Sequence, residues 1–279
     1  IALLSKNYYN VWPIRRPFAN LRNRNRRTCP SIPHSLSKSA FQRESIPVYF
    51  SHFSHPELQI VCILNMLFEE NSFLAWLPGR SDCVVVDPGL EPKKVLRAIQ
   101  DRRLQPAAIL NTHGHADHIA GNEALKSAWP DLPIVIGRAD APKLLDAGAN
   151  LSRPFGFEVL SPPADVLVED GQRYCAAGLE FEVLALPGHS AGHVVYLWKG
   201  AKPWVAFVGD VIFQDSIGRY DFPDGSFVQL RRGIHEKLFT LPEQTLLLPG
   251  HGLPTTVGQE KRNNPFVGLS QKNLSDDSE

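Results

Sequence analysis

From residue 57 onward, apolar and polar positions alternate in short regular runs. "QIVCILNMLF", "SFLAWL" and "CVVVDPG" are apolar runs of strand length, separated by turn signals such as "PGRSD" at 78–82, and they predict strands pairing in a meander. "EPKKVLRAIQDRRL" sets Val95, Leu96, Ile99 and Leu104 at helical spacing behind Pro92, the pattern of an amphipathic helix entered through proline. "PAAIL" (106–110) reads as a buried strand, 119–129 as a helix and 132–137 as a further strand. That alternation argues for α/β layering.

From about Ala164 the runs become strand-like again: "DVLVED", "LEFEVLAL", "HVVYLW" and "WVAFVGD". In "LEFEVLAL", Leu179, Phe181, Val183 and Ala185 fall on one face and both glutamates on the other, as in a sheet with one covered and one wetter face. "FVQLRRGIHEKLFTL" (227–241) returns to helical period, and "TLLLPG" (245–250) is a last strand. Two β-rich halves, each followed by helices, predict an α/β sandwich of two sheets with helices outside.

Residues 1–56 break this regularity. They hold few periodic apolar runs and many Pro, Ser, Asn and Arg, and we read them as a basic leader ahead of one domain at 57–279. Residues 1–43 carry nine Lys or Arg and no Asp or Glu, so the formal net charge of zero hides an acidic body. An Arg- and Ser-rich, acid-free leader fits a transit peptide; an upstream extension unused by the folded protein fits equally, and a basic RNA-binding arm is a weaker third reading. The cytoplasm is the expected location, or a mitochondrion or plastid if the leader is a transit peptide.

The remaining bulk properties narrow the class. A chain of 279 residues, 43% hydrophobic, can bury a sizeable core. Zero net charge offers no global reason to expect nucleic acid or a membrane surface as partner. The most apolar run, 58–68, is about half the roughly 20 residues that a helical membrane span needs. Cys29, Cys62, Cys83 and Cys175 are scattered without a CxxC pair; they are expected as small buried apolar residues in a reducing compartment.

Four short segments at strand-to-loop junctions carry the chemistry: "THGHADH" (112–118), "LALPGHSAGH" (184–193), "VAFVGDVIF" (205–213) and "LLLPGHG" (246–252). Each ends an apolar run on a ligand-type residue beside glycine, which lets the backbone turn tightly and approach a bound group. In an extended loop His113 and His115 point the same way and can share one ion. Asp117 and His118 then reach a second, His189 and His251 complete one site each, and Asp210 can bridge both. Imidazole and carboxylate ligands suit Zn, Fe or Mn. Two ions roughly 3.5–4 Å apart form the dinuclear arrangement used for hydrolysis. Structural histidines satisfying backbone carbonyls would be scattered, whereas five of the ten (His113, His115, His118, His189, His251) stand at strand ends.

The order THxHxDHxxG, PGHxxGH, GD, PGHG resembles the metallo-β-lactamase superfamily over about residues 57–267. "SIGRYDFPDG" (216–225) and "TTVGQEKRNNPF" (255–266) resemble its glyoxalase II branch, in particular the short bacterial type without a C-terminal helical domain. The resemblance implies an αββα sandwich of two mixed sheets packed face to face. It implies two divalent ions, Zn before Fe or Mn: one on His113, His115 and His189, the other on Asp117, His118 and His251, with Asp210 between them. The implied reaction is hydrolysis of a glutathione thioester such as S-lactoylglutathione by a metal-bridging hydroxide, with Asp117 and Asp210 as the catalytic carboxylates. "GRYDF" and "HEKLFTLP" (235–242) also resemble persulfide dioxygenases, mono-iron enzymes that carry HDY where this chain has His251-Gly252-Leu253. A degenerate fold serving as a binding protein is the alternative of another class.

Several single residues complete the expectations. His193 reads as a supporting or packing histidine ahead of a further ligand, Asp87 as a partner of a ligand ahead of a turn-capping residue, and Thr112 as a ligand partner or a loop cap. Arg219 and Tyr220 are candidates for touching the substrate; alternatively Arg219 pairs with Asp221 or Asp224. His235 is expected on a solvated helix face, and His34, His52 and His55 outside the constellation.

Overall fold

Val61 and Ile63 alternate with more exposed neighbours along β1 (Gln59–Asn65), while β2 (Glu70–Trp76) and β3 (Asp82–Val86) are covered on both faces. These three strands pair antiparallel as the expected meander. The computed structural model describes residues 55–269. Helix α1 (Pro92–Asp101) then crosses back, and β4 (Gln105–Leu110) pairs parallel with β3. β5 (Ile134–Gly137) and β6 (Val166–Val168) extend the sheet in parallel. A crossover between parallel strands needs a covering element, supplied here by α1 and by α3 (Asn122–Ala128).

The second sheet is also mixed. β7 (Arg173–Ala176), β8 (Leu179–Ala185), β9 (Val194–Trp198) and β10 (Val205–Gly209) run antiparallel in sequence. After a small hairpin of β11 (Ile212–Phe213) and β12 (Ser216–Ile217), β13 (Leu246–Pro249) pairs parallel with β10 and antiparallel with β14 (Thr255–Thr256). Phe73, Val84, Val86, Ala108 and Leu110 of the first sheet share one core with Phe181, Tyr196, Trp198 and Phe207 of the second. Val95 and Ile99 of α1 cover the first sheet's outer face. Leu230 of α4 (Phe227–Gly233) and Val257 of α5 (Val257–Asn263) cover the second's. The layers are therefore α, β, β, α, as expected.

Local departures have physical causes. The helix expected at 119–129 is confined to α3, and a separate helical turn, α2 (Ala116–Ile119), precedes it. Between them stands Gly121, whose N–H donates to Pro88 O and where a Cβ would lie 2.8 Å from Pro88. Asp117 and His118 sit on the helical turn α2 and not in an extended loop. The helix expected at 227–241 is α4 continued by a π turn at Ile234–Leu238. Cys175, expected buried, is exposed because β7 is the edge strand of its sheet; Cys83 is buried and Cys62 half-buried.

Most of the expected leader lies outside the described residues, as do Cys29, His34 and His52. His55, which a boundary at 57 assigns to the leader, hydrogen-bonds Pro203 O at 2.9 Å and packs edge-on against Trp198. Among the described residues no helix is long and apolar enough to cross a membrane.

Candidate metal centre

The four motif segments meet where the strands of both sheets end. Thr112 O accepts from Val194 N, and Gly250 N donates to Gly209 O, which joins the histidine loop to β9 and β10 to the loop after β13. Asn71 of β2 stitches the first sheet to this edge, donating to Pro249 O and Gly252 O from its side chain and to Gly250 O from its backbone. Glycine is required where these turns touch. Gly209 has φ +47°, and a Cβ there would lie 2.3 Å from Thr112 Oγ1. A Cβ on Gly250 would lie 2.3 Å from Asp210 Oδ1 and 2.6 Å from His118 Cε1.

All seven candidate ligands converge. His113, His115 and His189 offer three nitrogens within 4.8 Å of one another; His113, His118 and Asp210 form a second such set, and Asp117, His118 and His251 a third. Asp210 lies between the outer sets: its Oδ2 is 3.6 Å from His189 Nε2 and 3.5 Å from His251 Nε2, and its Oδ1 is 3.5 Å from His118 Nε2. Asp117 Oδ2 is 3.4 Å from His251 Nε2. His113 and His118 are fully buried, and His115 and His189 nearly so.

A donor set built for an ion leaves polar atoms that protein groups do not satisfy, and such orphans are rare in buried sites. His118 Nε2 and Asp210 Oδ1 are buried and make no hydrogen bond among the described residues. The opposite ring nitrogens are tied off. His118 Nδ1 lies 3.1 Å from Asp87 Oδ2, and His189 Nδ1 2.8 Å from Arg219 O. His251 Nδ1 lies 3.1 Å from Phe68 O, and His113 Nδ1 3.1 Å from Thr112 Oγ1. Tying off Nδ1 fixes the tautomer and turns the Nε2 lone pair toward the shared space, the usual orientation of a metal-binding imidazole. The residues present therefore fit divalent metal ions, which the fold and the His/Asp cluster together imply.

Electrostatics divide the cluster in two. Burial, and then the neighbouring histidines, hold His113 and His115 well below the usual imidazole range. Burial also lowers His189, against the pull of Asp210. At the other end, burial would lower His118, but Asp117, Asp210 and Asp87 outweigh it and raise it well above its ordinary value. His251 is likewise raised by Asp210 and Asp117 against burial. Burial pushes Asp117 upward, yet His118 and His251 pull it below the usual carboxylate range. Without ions, the acidic end of the cluster thus draws protons onto two histidines.

The supporting residues fall where the sequence suggests. Asp87, the end of β3's run, accepts from Thr112 N and Thr112 Oγ1 at 2.7 Å each and faces His118. It does so at φ +46°, a left-handed conformation that Asp tolerates better than most residues. His193 stacks on His113, and its Nε2 accepts from Asp210 N at 3.1 Å. Arg219 pairs with Asp221 and lies over the ring of Phe222; its backbone carbonyl lies 2.8 Å from His189 Nδ1. Tyr220 is 43% exposed with its ring against Phe227. His235, expected on a solvated face, is half-buried on the π turn with its ring against Phe239.

Sequence reasoning missed Phe222, whose ring packs edge-on against His115 and His189. It also missed the carbonyl partners Arg219 O and Phe68 O, since a backbone acceptor has no residue-type signature.

Comparison with known proteins agrees with this geometry. Residues 66–251 match the metallo-beta-lactamase superfamily. The chain is 41% identical over 193 residues to the probable metallo-hydrolase YqgX of Bacillus subtilis, covering 69% of this chain and 90% of that protein. It is 34% identical over 203 residues to the hydroxyacylglutathione hydrolase GloC of Haemophilus influenzae, covering 72% and 93%. Among solved structures, BLEG-1 B3 metallo-beta-lactamase superposes with a TM-score of 0.71 at 34% identity, covering 75% of this chain and 99% of that one. TTHA1623 in a di-iron-bound form superposes with a TM-score of 0.64 at 38% identity, covering 74% and 98%.

Proposed function

Because the chain belongs to the metallo-beta-lactamase superfamily, we propose that it hydrolyses a glutathione thioester of the S-lactoylglutathione kind at a pair of divalent ions. The observation that carries the proposal is the convergence of seven donors into two sets flanking Asp210. His113, His115 and His189 would hold one ion, and Asp117, His118 and His251 the other, with Asp210 shared. Zinc suits these ligands best, with iron or manganese as substitutes. The name of the Haemophilus relative supports the substrate class, and that of the di-iron neighbour supports two ions.

When bound, such a pair of ions lowers the pKa of a water and polarises the thioester carbonyl. The chain's own groups do the rest. Asp117 would orient the attacking water, and Asp210 would keep the two donor sets together. Phe222 forms an apolar wall beside His115 and His189 that limits bulk water. Arg219 and Tyr220, exposed on the adjoining segment, would contact the glutathione part. The departing thiolate needs little acid help, because thiols are far stronger acids than alcohols. The partner is then a small molecule, with no role for nucleic acid or membrane.

The test pairs metal analysis with assays on S-lactoylglutathione, glutathione persulfide and a β-lactam. Thiol release from the first is expected. Oxygen uptake with the persulfide and one iron per chain would replace this reading with a dioxygenase, and β-lactam turnover alone would replace it with a lactamase.

Two further outcomes follow from the site. The carboxylates beside His118 and His251 raise the proton affinity of those two rings, whereas burial lowers that of His113, His115 and His189. Metal and proton therefore compete chiefly at the acidic end. Titrations between roughly pH 8 and pH 6 should show one ion lost earlier as pH falls, with more protons released on its rebinding; equal pH dependence of both ions would contradict this. Asp87→Ala, which frees His118 Nδ1, should weaken metal retention about 10- to 100-fold, measured by chelator competition.

A further inference from the structure

Bonded to the same loops lies a second polar cluster that takes no part in the chemistry above. Lysine is seldom buried unless paired, because an unpaired ammonium loses its hydration. Lys143 is only 7% exposed. Its Nζ donates to Ser190 Oγ at 2.6 Å and to Asp224 Oδ2 at 2.7 Å, with Asp140 Oδ1 at 3.5 Å. An ammonium has three donors, and each of these faces an oxygen.

Those oxygens belong to groups that hold the histidine loops. Asp140, fully buried, accepts from Gly114 N and Gly192 N at 2.7 Å each, and from the Ser190 hydroxyl. Asp224 Oδ2 also accepts from Ala191 N at 2.9 Å. Gly114 stands between His113 and His115; Ser190, Ala191 and Gly192 directly follow His189. Asp224 ends the segment in which Phe222 packs on His115 and His189 and the Arg219 carbonyl meets His189 Nδ1. The lysine stem is part of the fit: a Cβ on Gly114 would lie 2.7 Å from Lys143 Cβ.

We propose that Lys143 is a positioning residue. Its ammonium, seated between Asp140 and Asp224, holds the 113–115 loop, the 189–192 loop and the 219–224 segment in register so that His113, His115 and His189 converge on one ion. The inference rests on reading those histidines as one ion's ligands and is independent of the substrate. A purely structural staple would lower thermal stability and leave metal retention by the folded protein unchanged.

The test uses the full chain loaded with zinc, chelators of graded strength, and the variants Lys143→Met, Asp224→Asn and the double variant. Lys143→Met keeps the stem and removes the charge. It should release one zinc equivalent about 10- to 100-fold more readily, with the other equivalent held as in the wild type. The double variant should lose no more than Lys143→Met alone, because residues in one network are not additive. A folded Lys143→Met protein that holds zinc like the wild type, or additive losses in the double variant, would overturn the proposal. If Lys143→Met does not fold, Asp224→Asn decides: weakened retention supports the proposal and wild-type retention overturns it. A wild-type protein that retains no zinc would remove the ligand reading itself, and this inference with it.

Discussion

Asp210→Ala is expected to lower turnover of S-lactoylglutathione by at least about 100- to 1,000-fold, the cost of losing a single preorganised electrostatic contact with the transition state. The loss should be larger than that of any other single ligand, because Asp210 is the carboxylate whose two oxygens face histidines of both outer donor sets. Its two oxygens lie 3.5–3.6 Å from His118, His189 and His251. The substitution is also clean. The backbone at Asp210 is held by its N–H to His193 Nε2 and packed against Gly218, where a Cβ would lie 1.8 Å from Asp210 O. Alanine therefore removes the carboxylate and leaves the turn in place. Steady-state kinetics with parallel metal analysis check this: kcat should collapse and at least one ion should be lost. Wild-type turnover in the variant would show that Asp210 is not shared.

Phe207→Ala should act through the fold and not the chemistry. Phe207 is fully buried on β10, between the sheets, with ring contacts to Phe73 at 5.6 Å and Phe181 at 6.2 Å. Truncating a buried phenylalanine to alanine costs about 3–5 kcal/mol, the lost transfer energy plus the cavity left behind. In a domain of this size that lowers Tm on the order of 10 °C. Differential scanning calorimetry measures the shift. A change of only a degree or two would mean that the two sheets close over the gap, contrary to the close packing of Phe73, Phe181 and Phe207.

The layer order was legible because the apolar runs that build the strands are long and their periods distinct. Leu179, Phe181 and Val183 alternate as a half-covered strand must, and Val95 with Ile99 marks the helix that crosses between parallel strands. The seven candidate ligands were legible for another reason: they fall in four short segments that each follow an apolar run and contain a glycine, and the structure brings all of them to one sheet edge.

Less could be read where the answer depends on distant partners. The helix expected at 119–129 starts only at Asn122, after Gly121, which packs against Pro88, remote in sequence. Cys175 is exposed only because β7 has no neighbour on one side, which composition does not encode. Lys143 and Asp140 look like ordinary surface charges in "RADAPKLL", and only the fold buries them against Ser190 and Asp224. The carbonyls that turn His189 and His251 are backbone atoms, present at every residue.

These gaps share a cause. Sequence patterns report which residue types recur at a local period, whereas the site is completed by contacts between segments up to about 180 positions apart, as between Asn71 and Gly252. The candidate ligands carry local signals, as do Asp87, Thr112 and His193; Lys143, Phe222 and the backbone carbonyls do not.

The most direct test of the account is metal stoichiometry on the purified full chain, measured together with thiol release from S-lactoylglutathione in the same preparation. About two divalent ions per chain, with activity that chelation removes and zinc restores, is the predicted result. A protein that binds one ion or none after loading, or that fills both sites and leaves the thioester intact, would contradict it.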